Sequence, residues 1–150
     1  MITCKFENGN DASLRHVVVD AIVLNAARDS ILLVKRAPHL TNGGKYGLIG
    51  GFLDRDETIE QAMIRELMEE TGYEGIILKR FQIIDSPDRK NEDRQNVTFV
   101  FLVEAGQQTG VADNESTEVR WFKFTELPNE SEFAFDHFDS VSAYLQTVTV

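Results

Sequence analysis

Three glutamates with the spacing to act together lie in a segment of helical periodicity, residues 58–71. Glu66, Glu69 and Glu70 occupy positions i, i+3 and i+4, so a helix places them on one face. A hard divalent cation such as Mg²⁺ prefers carboxylate oxygens and commonly bridges them to phosphates, which makes this face a candidate metal site. Arg65 lies four residues before Glu69 and offers an ion pair instead. The competing interpretation is an acidic face in solvent, since charge clusters on surface helices are common.

The spacing around this helix favours the first interpretation. Five residues separate Gly51 from Glu57, and seven more separate Glu57 from Arg65. The pattern resembles the Nudix box, G-x5-E-x7-R-E-U-x-E-E-x-G-U, in which U is a bulky aliphatic residue. With residue frequencies of about 7%, a chance match of every fixed position at one register has a probability on the order of 10⁻⁸. Tyr73 departs from the pattern, because its position is usually aliphatic. The matching residues are Gly51, Glu57, Arg65, Glu66, Glu69, Glu70 and Gly72.

The resemblance implies an activity and a role for each matching residue. Nudix enzymes cleave nucleoside diphosphates linked to another group, by attack of water on phosphorus while divalent metals hold the phosphates. By resemblance, Glu69 and Glu70 supply metal ligands or the base that activates the water, and Arg65 orients a glutamate. Which glutamate is the base varies within the family. The implied metal ligands are Glu66, Glu69, Glu70 and a backbone carbonyl of Gly50 or Gly51. Glu57 is implied to be a further ligand or to accept a hydrogen bond behind the ligands.

Residues outside the box are candidate contacts for the substrate. Residues 31–36 resemble a strand of the family that ends in a basic residue, here Arg36. Arg36 either contacts a phosphate or lies in solvent at the end of this strand. Tyr46 stands where the family commonly has tryptophan, in the run that leads into the box. Glu115 lies in an acidic turn together with Glu118, and both are outside candidates for the base. A solvated turn is the alternative for these two glutamates.

Two short segments resemble Nudix members that act on ADP-ribose. Residues 86–89, Ser-Pro-Asp-Arg, would place Arg89 near a ribose phosphate, where a guanidinium makes bidentate contacts. A turn that begins at Pro87 is the alternative. Residues 133–137, Phe-Ala-Phe-Asp-His, precede the last predicted helix. Here the alternative is that Asp136 caps the helix and the phenylalanines pack in the core.

The composition excludes several classes of protein and partner. The chain has 150 residues, with 25 Asp and Glu against 15 Lys and Arg, and a formal net charge of −10. Such an acidic chain lacks the basic surface that non-specific nucleic-acid or membrane binding requires. With one cysteine, Cys4, the chain forms no intramolecular disulfide. A cytoplasmic location is expected, because there is neither an apolar signal core nor a run of about 18 apolar residues.

Strands and helices are predicted to alternate along the chain. Gly72 is expected to end the first helix, and Asp136 to cap the second. The face of the first helix opposite the glutamates is expected to pack on a sheet through Ile64, Leu67, Met68 and Thr71. Predicted strands are 17–24, 31–34, 76–84, 96–103 and 119–124, with an apolar stretch at 46–53; helices are 58–71 and 138–148; loops are 37–47 and 85–95, and 113–118 is an acidic turn.

These elements predict an α+β fold in one domain, residues 1–150, and the family resemblance implies an α/β/α sandwich with a mixed sheet between helices. The leading hypothesis is a Mg²⁺-dependent pyrophosphatase, with Mn²⁺ as a substitute metal. It would hydrolyse ADP-ribose or a related nucleotide sugar and release a nucleoside monophosphate. A nucleoside triphosphate pyrophosphohydrolase, including one that removes oxidised nucleotides, is an alternative. A non-catalytic nucleotide sensor is another. A homodimer is expected by analogy alone.

Overall fold

Within residues 2–89 and 96–148, which the computed structural model describes, seven strands form one mixed sheet and two form a separate hairpin. The hairpin consists of β1 (Ile2–Lys5) and β2 (Asp11–Leu14). The sheet consists of β3 (His16–Leu24), β4 (Ser30–Arg36), β5 (Tyr46–Gly47), β6 (Ile49–Phe52), β7 (Tyr73–Ile84), β8 (Asn96–Gln108) and β9 (Ser116–Lys123). Its order is β5-β4-β3-β8-β7, with β6 paired to β3 and β9 paired to β4.

The central strand β3 is apolar along most of its length because both faces of the sheet are covered there. It runs parallel to β8 and antiparallel to β4 and β6. A strand buried on both faces appears as a continuous apolar run rather than an alternating one. Asp20 breaks this run and is still only 8% exposed. The pairing with β6 sets Asp20 opposite Gly50 and Val19 opposite Gly51, which brings the start of the glycine-rich motif to the centre of the sheet.

Two α-helices, α1 (Ile59–Thr71) and α2 (His137–Val148), cover the two faces of the sheet. Successive side chains of a strand point to opposite faces. Val19 of β3 accordingly packs in the core cluster beneath α1, and Ile22 packs in the cluster beneath α2. The predicted α+β class with an α/β/α arrangement is therefore confirmed. In the described part of the chain, no helix is both long and apolar enough to cross a membrane.

Both ends of α1 are fixed by local hydrogen bonds. At its start, the Thr58 hydroxyl accepts from the Gln61 N–H at 3.3 Å, and the Gln61 side chain accepts from the Thr58 N–H at 2.8 Å. This reciprocal pair is a capping box. At its end, Gly72 adopts φ +72° and donates its N–H to the Met68 carbonyl at 2.8 Å. The predicted stop at Gly72 is confirmed.

Replacing Gly72 with valine is expected to destabilise the fold. The left-handed conformation costs a residue with a side chain about 1–2 kcal/mol, and a Cβ here would lie 2.3 Å from the Gly110 carbonyl oxygen. For a chain of this size, each kcal/mol lowers Tm by about 2–4 °C. Thermal unfolding of Gly72→Val and Gly44→Val separates backbone strain from steric overlap. Gly44 has φ +81° but no atom within 4 Å of its Cβ position, so valine there suffers the backbone strain alone. Gly72→Val should melt lowest, and a wild-type Tm would contradict the assignment.

The structure moves several predicted boundaries. β7 begins at Tyr73 rather than at 76, and β8 continues to Gln108 rather than 103, because these two strands stay paired out to that end. The β1–β2 hairpin was not predicted. The predicted loop 85–95 lies partly outside the described residues, which omit 90–95. The remaining changes are small: β9 starts at Ser116, Phe124 begins a 3₁₀ turn, and α2 starts at His137.

The packing face of α1 is rotated relative to the prediction. Its buried residues are Ala62, Met63, Leu67, Glu70 and Thr71, while Ile64 and Met68 are only partly buried. Met63, Leu67 and Glu70 follow the i, i+4, i+7 spacing of one helix face. The predicted packing face is confirmed for Leu67 and Thr71 and wrong for Ile64 and Met68. Glu70 lies at the edge of the face that meets the sheet.

Candidate functional site

A cavity of about 470 Å³ lies between α1, the centre of the sheet and the loop that follows β4. Most of the residues that the sequence analysis singled out line it. From the glycine-rich motif and α1 these are Gly50, Gly51, Arg65, Glu66, Glu69 and Glu70. Of the candidate substrate contacts, Arg36, Arg89 and Glu115 also line the cavity. These residues are far apart in sequence, so the fold brings together groups from several separate segments.

Arg65 binds three of the glutamates at once. Its Nη2 donates to Glu57 Oε1 at 2.6 Å, and its Nη1 donates to Glu66 Oε1 at 2.8 Å and to Glu69 Oε2 at 2.9 Å. Arg65 is four residues before Glu69, and this predicted i, i+4 pair is present. The hydrogen bonds that Arg65 donates to these carboxylates, the one to Glu57 first, raise the pKa of Arg65 above its usual range. The guanidinium therefore stays charged and fixes the orientation of the acidic side chains.

Glu70 differs from the other glutamates because it is buried. Its side chain accepts a hydrogen bond from the Gly50 N–H at 3.0 Å, and the residue is 5% exposed. Burial raises the pKa of Glu70 well above its usual value, the Gly50 N–H opposes that rise, and the negative charges of Glu66 and Asp113 add to it. Glu69, by contrast, has a side chain that is 52% exposed. The glutamates that share one predicted face thus occupy two environments.

Gly50 and Gly51 both lie in close contacts. A Cβ on Gly50 would lie 2.0 Å from the Val19 carbonyl oxygen, so a side chain there would push β6 away from β3. A Cβ on Gly51 would lie 2.4 Å from Glu66 Oε1, so a side chain there would displace the Glu66 carboxylate. Gly50 was predicted to offer its carbonyl to a metal; the contact present is its N–H, which holds Glu70.

The donor set on this wall suits a hard divalent cation. Glu66, Glu69, Glu70 and Asp113 line the cavity, and carboxylate oxygens are the ligands that Mg²⁺ and Mn²⁺ prefer. Among the described residues, no group of three or more His, Cys, Asp or Glu is arranged to hold a metal ion as it stands. The Arg65 guanidinium binds one oxygen of Glu66 and one of Glu69. Because a carboxylate has two oxygens, a metal ion would use the other oxygen of each while Arg65 keeps its contacts.

Arg89, which also lines the cavity, forms a buried ion pair with Asp136 that joins the two ADP-ribose-like segments. Arg89 Nε and Nη2 donate to the two carboxylate oxygens of Asp136, both at 2.7 Å, and Nη1 donates to Thr98 Oγ1 at 2.6 Å. The side chains of Arg89 and Asp136 are only 5% and 8% exposed. The interpretation of Asp136 as a helix cap is not borne out by its contacts, since both carboxylate oxygens accept from the guanidinium. Arg89 reaches the cavity as half of an ion pair.

His137 ties the start of α2 to the segment that carries the glycines. Its Nδ1 accepts from the Leu48 N–H at 2.9 Å, and its Nε2 lies 3.8 Å from Asp20 Oδ2. Burial lowers the pKa of His137 and raises the pKa of Asp20. Both effects favour a neutral imidazole, which Nδ1 needs in order to accept. Asp20 also lines the cavity and was not predicted as a site residue. A lone acidic residue within an apolar strand could have indicated it.

The other candidate contacts divide into those near the cavity and those away from it. Arg36 donates from Nε to the Thr41 carbonyl at 2.8 Å and lies on the cavity wall. Glu115 lines the cavity as an exposed residue. Tyr46, in contrast, is absent from the lining, and its hydroxyl hydrogen-bonds Glu118 at 3.2 Å. Tyr46 and Glu118 are therefore not part of the cavity lining. Tyr46 lies on β5 and Glu118 on β9, the two strands that pair with β4 at this edge of the sheet.

Comparison with known proteins identifies a matching family and similar proteins of known name. The sequence profile of the NUDIX domain matches residues 14–144. An ADP-ribose pyrophosphatase from Methanocaldococcus jannaschii is 31% identical over 130 residues, which cover 87% of this chain and 73% of that protein. The NAD-capped RNA hydrolase NudC from Haemophilus influenzae is 33% identical over 110 residues, which cover 72% of this chain but only 40% of NudC.

A solved structure has a similar fold. It is a bifunctional NMN adenylyltransferase/ADP ribose pyrophosphatase from Francisella tularensis, crystallised with AMP and a manganese ion. The match has a TM-score of 0.70 and 30% sequence identity, and it covers 89% of this chain and 42% of that one. The chain therefore spans about two fifths of this enzyme and of NudC.

Proposed function

Because the chain belongs to the NUDIX family of hydrolases, we propose that it hydrolyses the pyrophosphate bond of a nucleoside diphosphate derivative. The substrate class is ADP-ribose or a related nucleotide sugar, and the product is a nucleoside monophosphate. The observation that carries the proposal is the contact set of Arg65. One guanidinium orients Glu57, Glu66 and Glu69. Of these three, Glu66 and Glu69 line the cavity together with Glu70. Such an array of oriented carboxylates suits metal-assisted hydrolysis of phosphoanhydrides.

A divalent metal ion is part of this proposal. When bound, it would neutralise the phosphates and lower the pKa of the attacking water. Glu66, Glu69 and Glu70 are the residues that would hold it, with Glu57 and the Gly50 carbonyl as further donors. Mg²⁺ is the proposed ion and Mn²⁺ the substitute, and the manganese ion in the structure of the Francisella tularensis enzyme supports this choice.

The chain's own groups divide the remaining work. Arg65 holds Glu66 and Glu69 in fixed orientations, which reduces the reorganisation needed when the substrate enters. Glu69 and Glu70 are the candidates to take a proton from the attacking water. Arg36 lies on the cavity wall as a cation able to bind a phosphate.

The substrate class rests on two independent supports. The relative from Methanocaldococcus jannaschii is named an ADP-ribose pyrophosphatase, and it is matched over most of its length. The two segments that resemble members acting on ADP-ribose are joined by the Arg89–Asp136 pair, and Arg89 lines the cavity. As a further part of the proposal, the protein acts on small nucleotides in the cytoplasm, with a homodimer as its assembly.

Mass spectrometry of the products tests the proposal. The purified protein is incubated with Mg²⁺ in isotope-labelled water and a nucleotide panel: ADP-ribose, NADH, ADP-glucose, diadenosine polyphosphates and nucleoside triphosphates. We expect ADP-ribose to give AMP and ribose 5-phosphate, with the label marking the attacked phosphorus. Release of pyrophosphate from triphosphates alone would contradict the substrate class and favour the triphosphate alternative. Binding without turnover of any nucleotide would contradict the hydrolase and favour a sensor.

A further inference from the structure

Phe135 has a conformation that folding alone does not explain. Its φ is +51°, in the left-handed region that bulky side chains rarely adopt. Phe133 is buried in the core cluster beneath α2, and Phe138 packs against it. Among the described residues, Phe135 is half-buried and belongs to neither core cluster. Residues held in such strained conformations concentrate at functional sites, so the ring has a role other than core packing.

The Phe135 side chain lies between two cavities. Phe135 lines the 470 Å³ cavity and also a smaller one of about 110 Å³. The Arg36 guanidinium lies over the ring, 5.1 Å from its centroid. The His137 imidazole lies 5.3 Å away at an interplanar angle of 52°. The structure thus presents an aromatic ring and a guanidinium in a cation–π contact at the cavity.

The Phe135 ring and the glutamates line the same cavity. Phe135 and Arg36 are among its lining residues, together with Glu66, Glu69 and Glu70. A substrate with its phosphates at the glutamates therefore has an aromatic surface available in the same cavity.

We propose that Phe135, with the Arg36 guanidinium in cation–π contact with its ring, is the surface on which the nucleobase of the substrate stacks. The inference rests on the proposed function and extends it to a base-binding subsite. Every base has a π-face, so an aromatic ring binds bases with little dependence on their identity. Arg guanidinium groups stack on aromatic faces in the same way. Phe135 is thus assigned as a residue that selects for nucleotides over base-free phosphates.

The test compares two ligands that differ only by the base. Calorimetry measures binding of AMP and of ribose 5-phosphate to the wild-type chain and to Phe135→Leu and Phe135→Gly. Both variants are expected to bind AMP on the order of 10-fold more weakly, as for loss of one stacked base, and to bind ribose 5-phosphate as the wild type does. Glycine adopts the positive φ without strain, so Phe135→Gly should still fold. A cooperative thermal transition and a wild-type circular dichroism spectrum for each variant would exclude misfolding as the cause.

Two control variants sharpen the result. Phe135→Tyr keeps an aromatic ring and should keep the AMP affinity. Phe6→Leu removes an exposed ring from the β1–β2 hairpin, outside the cavity lining, and should change neither ligand.

Three results would overturn the inference: unchanged AMP affinity in Phe135→Leu and Phe135→Gly, equal weakening of both ligands, or a wild type that binds AMP no better than ribose 5-phosphate. Turnover of ADP-ribose by the wild type is measured in parallel. Without turnover, a loss of AMP binding specific to the Phe135 variants would still support the base subsite, while the proposed hydrolysis would fail.

Discussion

Glu70→Gln is expected to lower the rate of ADP-ribose hydrolysis by a factor on the order of 10²–10⁴, the usual contribution of a general base. Glutamine has nearly the same shape, and its carbonyl oxygen is able to keep the hydrogen bond from the Gly50 N–H. The variant therefore removes a charge and a proton acceptor without removing the contact that positions the side chain. Initial rates over a Mg²⁺ titration measure the effect, and circular dichroism reports the fold.

The stability of this variant separates a catalytic role from a structural one. Glu70 is buried near other carboxylates, so loss of its charge removes a repulsion, and we expect a Tm equal to or above that of the wild type. Glu69→Gln should lower the rate to a similar degree. Glu60→Gln is the matched control, because Glu60 lies on α1 outside the cavity and pairs with Arg80. Near-normal rates for both Glu70→Gln and Glu69→Gln at every Mg²⁺ concentration would rule out the proposed site.

Arg89→Met is expected to cost about 3–5 kcal/mol of unfolding free energy, the range for breaking one half of a buried ion pair. The substitution leaves the Asp136 carboxylate buried without the guanidinium that binds both of its oxygens. It also removes a positive charge that favours the ionised form of Asp20, on the same wall. Denaturant unfolding monitored by fluorescence of Trp121 measures the change.

The double variant Arg89→Met with Asp136→Leu is the control for this prediction. Replacing both partners by apolar groups removes the uncompensated charge, so we expect the double variant to be more stable than Arg89→Met alone. A single variant with wild-type stability would contradict the structural role of the pair. A double variant with normal stability and a much higher KM for ADP-ribose would instead assign Arg89 to phosphate binding, as the sequence first indicated.

The helix with its glutamates was predictable because its determinants are local. The capping residue Thr58, the stop at Gly72 and the Arg65–Glu69 spacing all lie within or next to one short segment. The family resemblance reached the same segment through its fixed positions. The extent of β7 and β8 was not predictable in this way, since the polar residues after 103 stay in the sheet only because a partner strand pairs with them.

The second wall of the cavity depended on contacts between distant segments. Arg89 and Asp136 are 47 residues apart, and Leu48 and His137 are 89 apart. The sequence singled out both ends of the Arg89–Asp136 pair, but assigned them to a phosphate contact or turn and to a helix cap. Since either residue type makes several kinds of hydrogen bond, only its neighbours in space select one.

Periodicity and capping act over a few residues, so local sequence specifies the apolar strands, the ends of α1 and the acidic side chains beside the sheet. The folded arrangement sets which of these groups are buried and which partner each one has. It placed Glu70 against Gly50, left Glu69 more exposed, and put Phe135 on the cavity wall. Burial and charge pairing depend on residues that are distant along the chain, and those two properties set the chemistry that each side chain is able to perform.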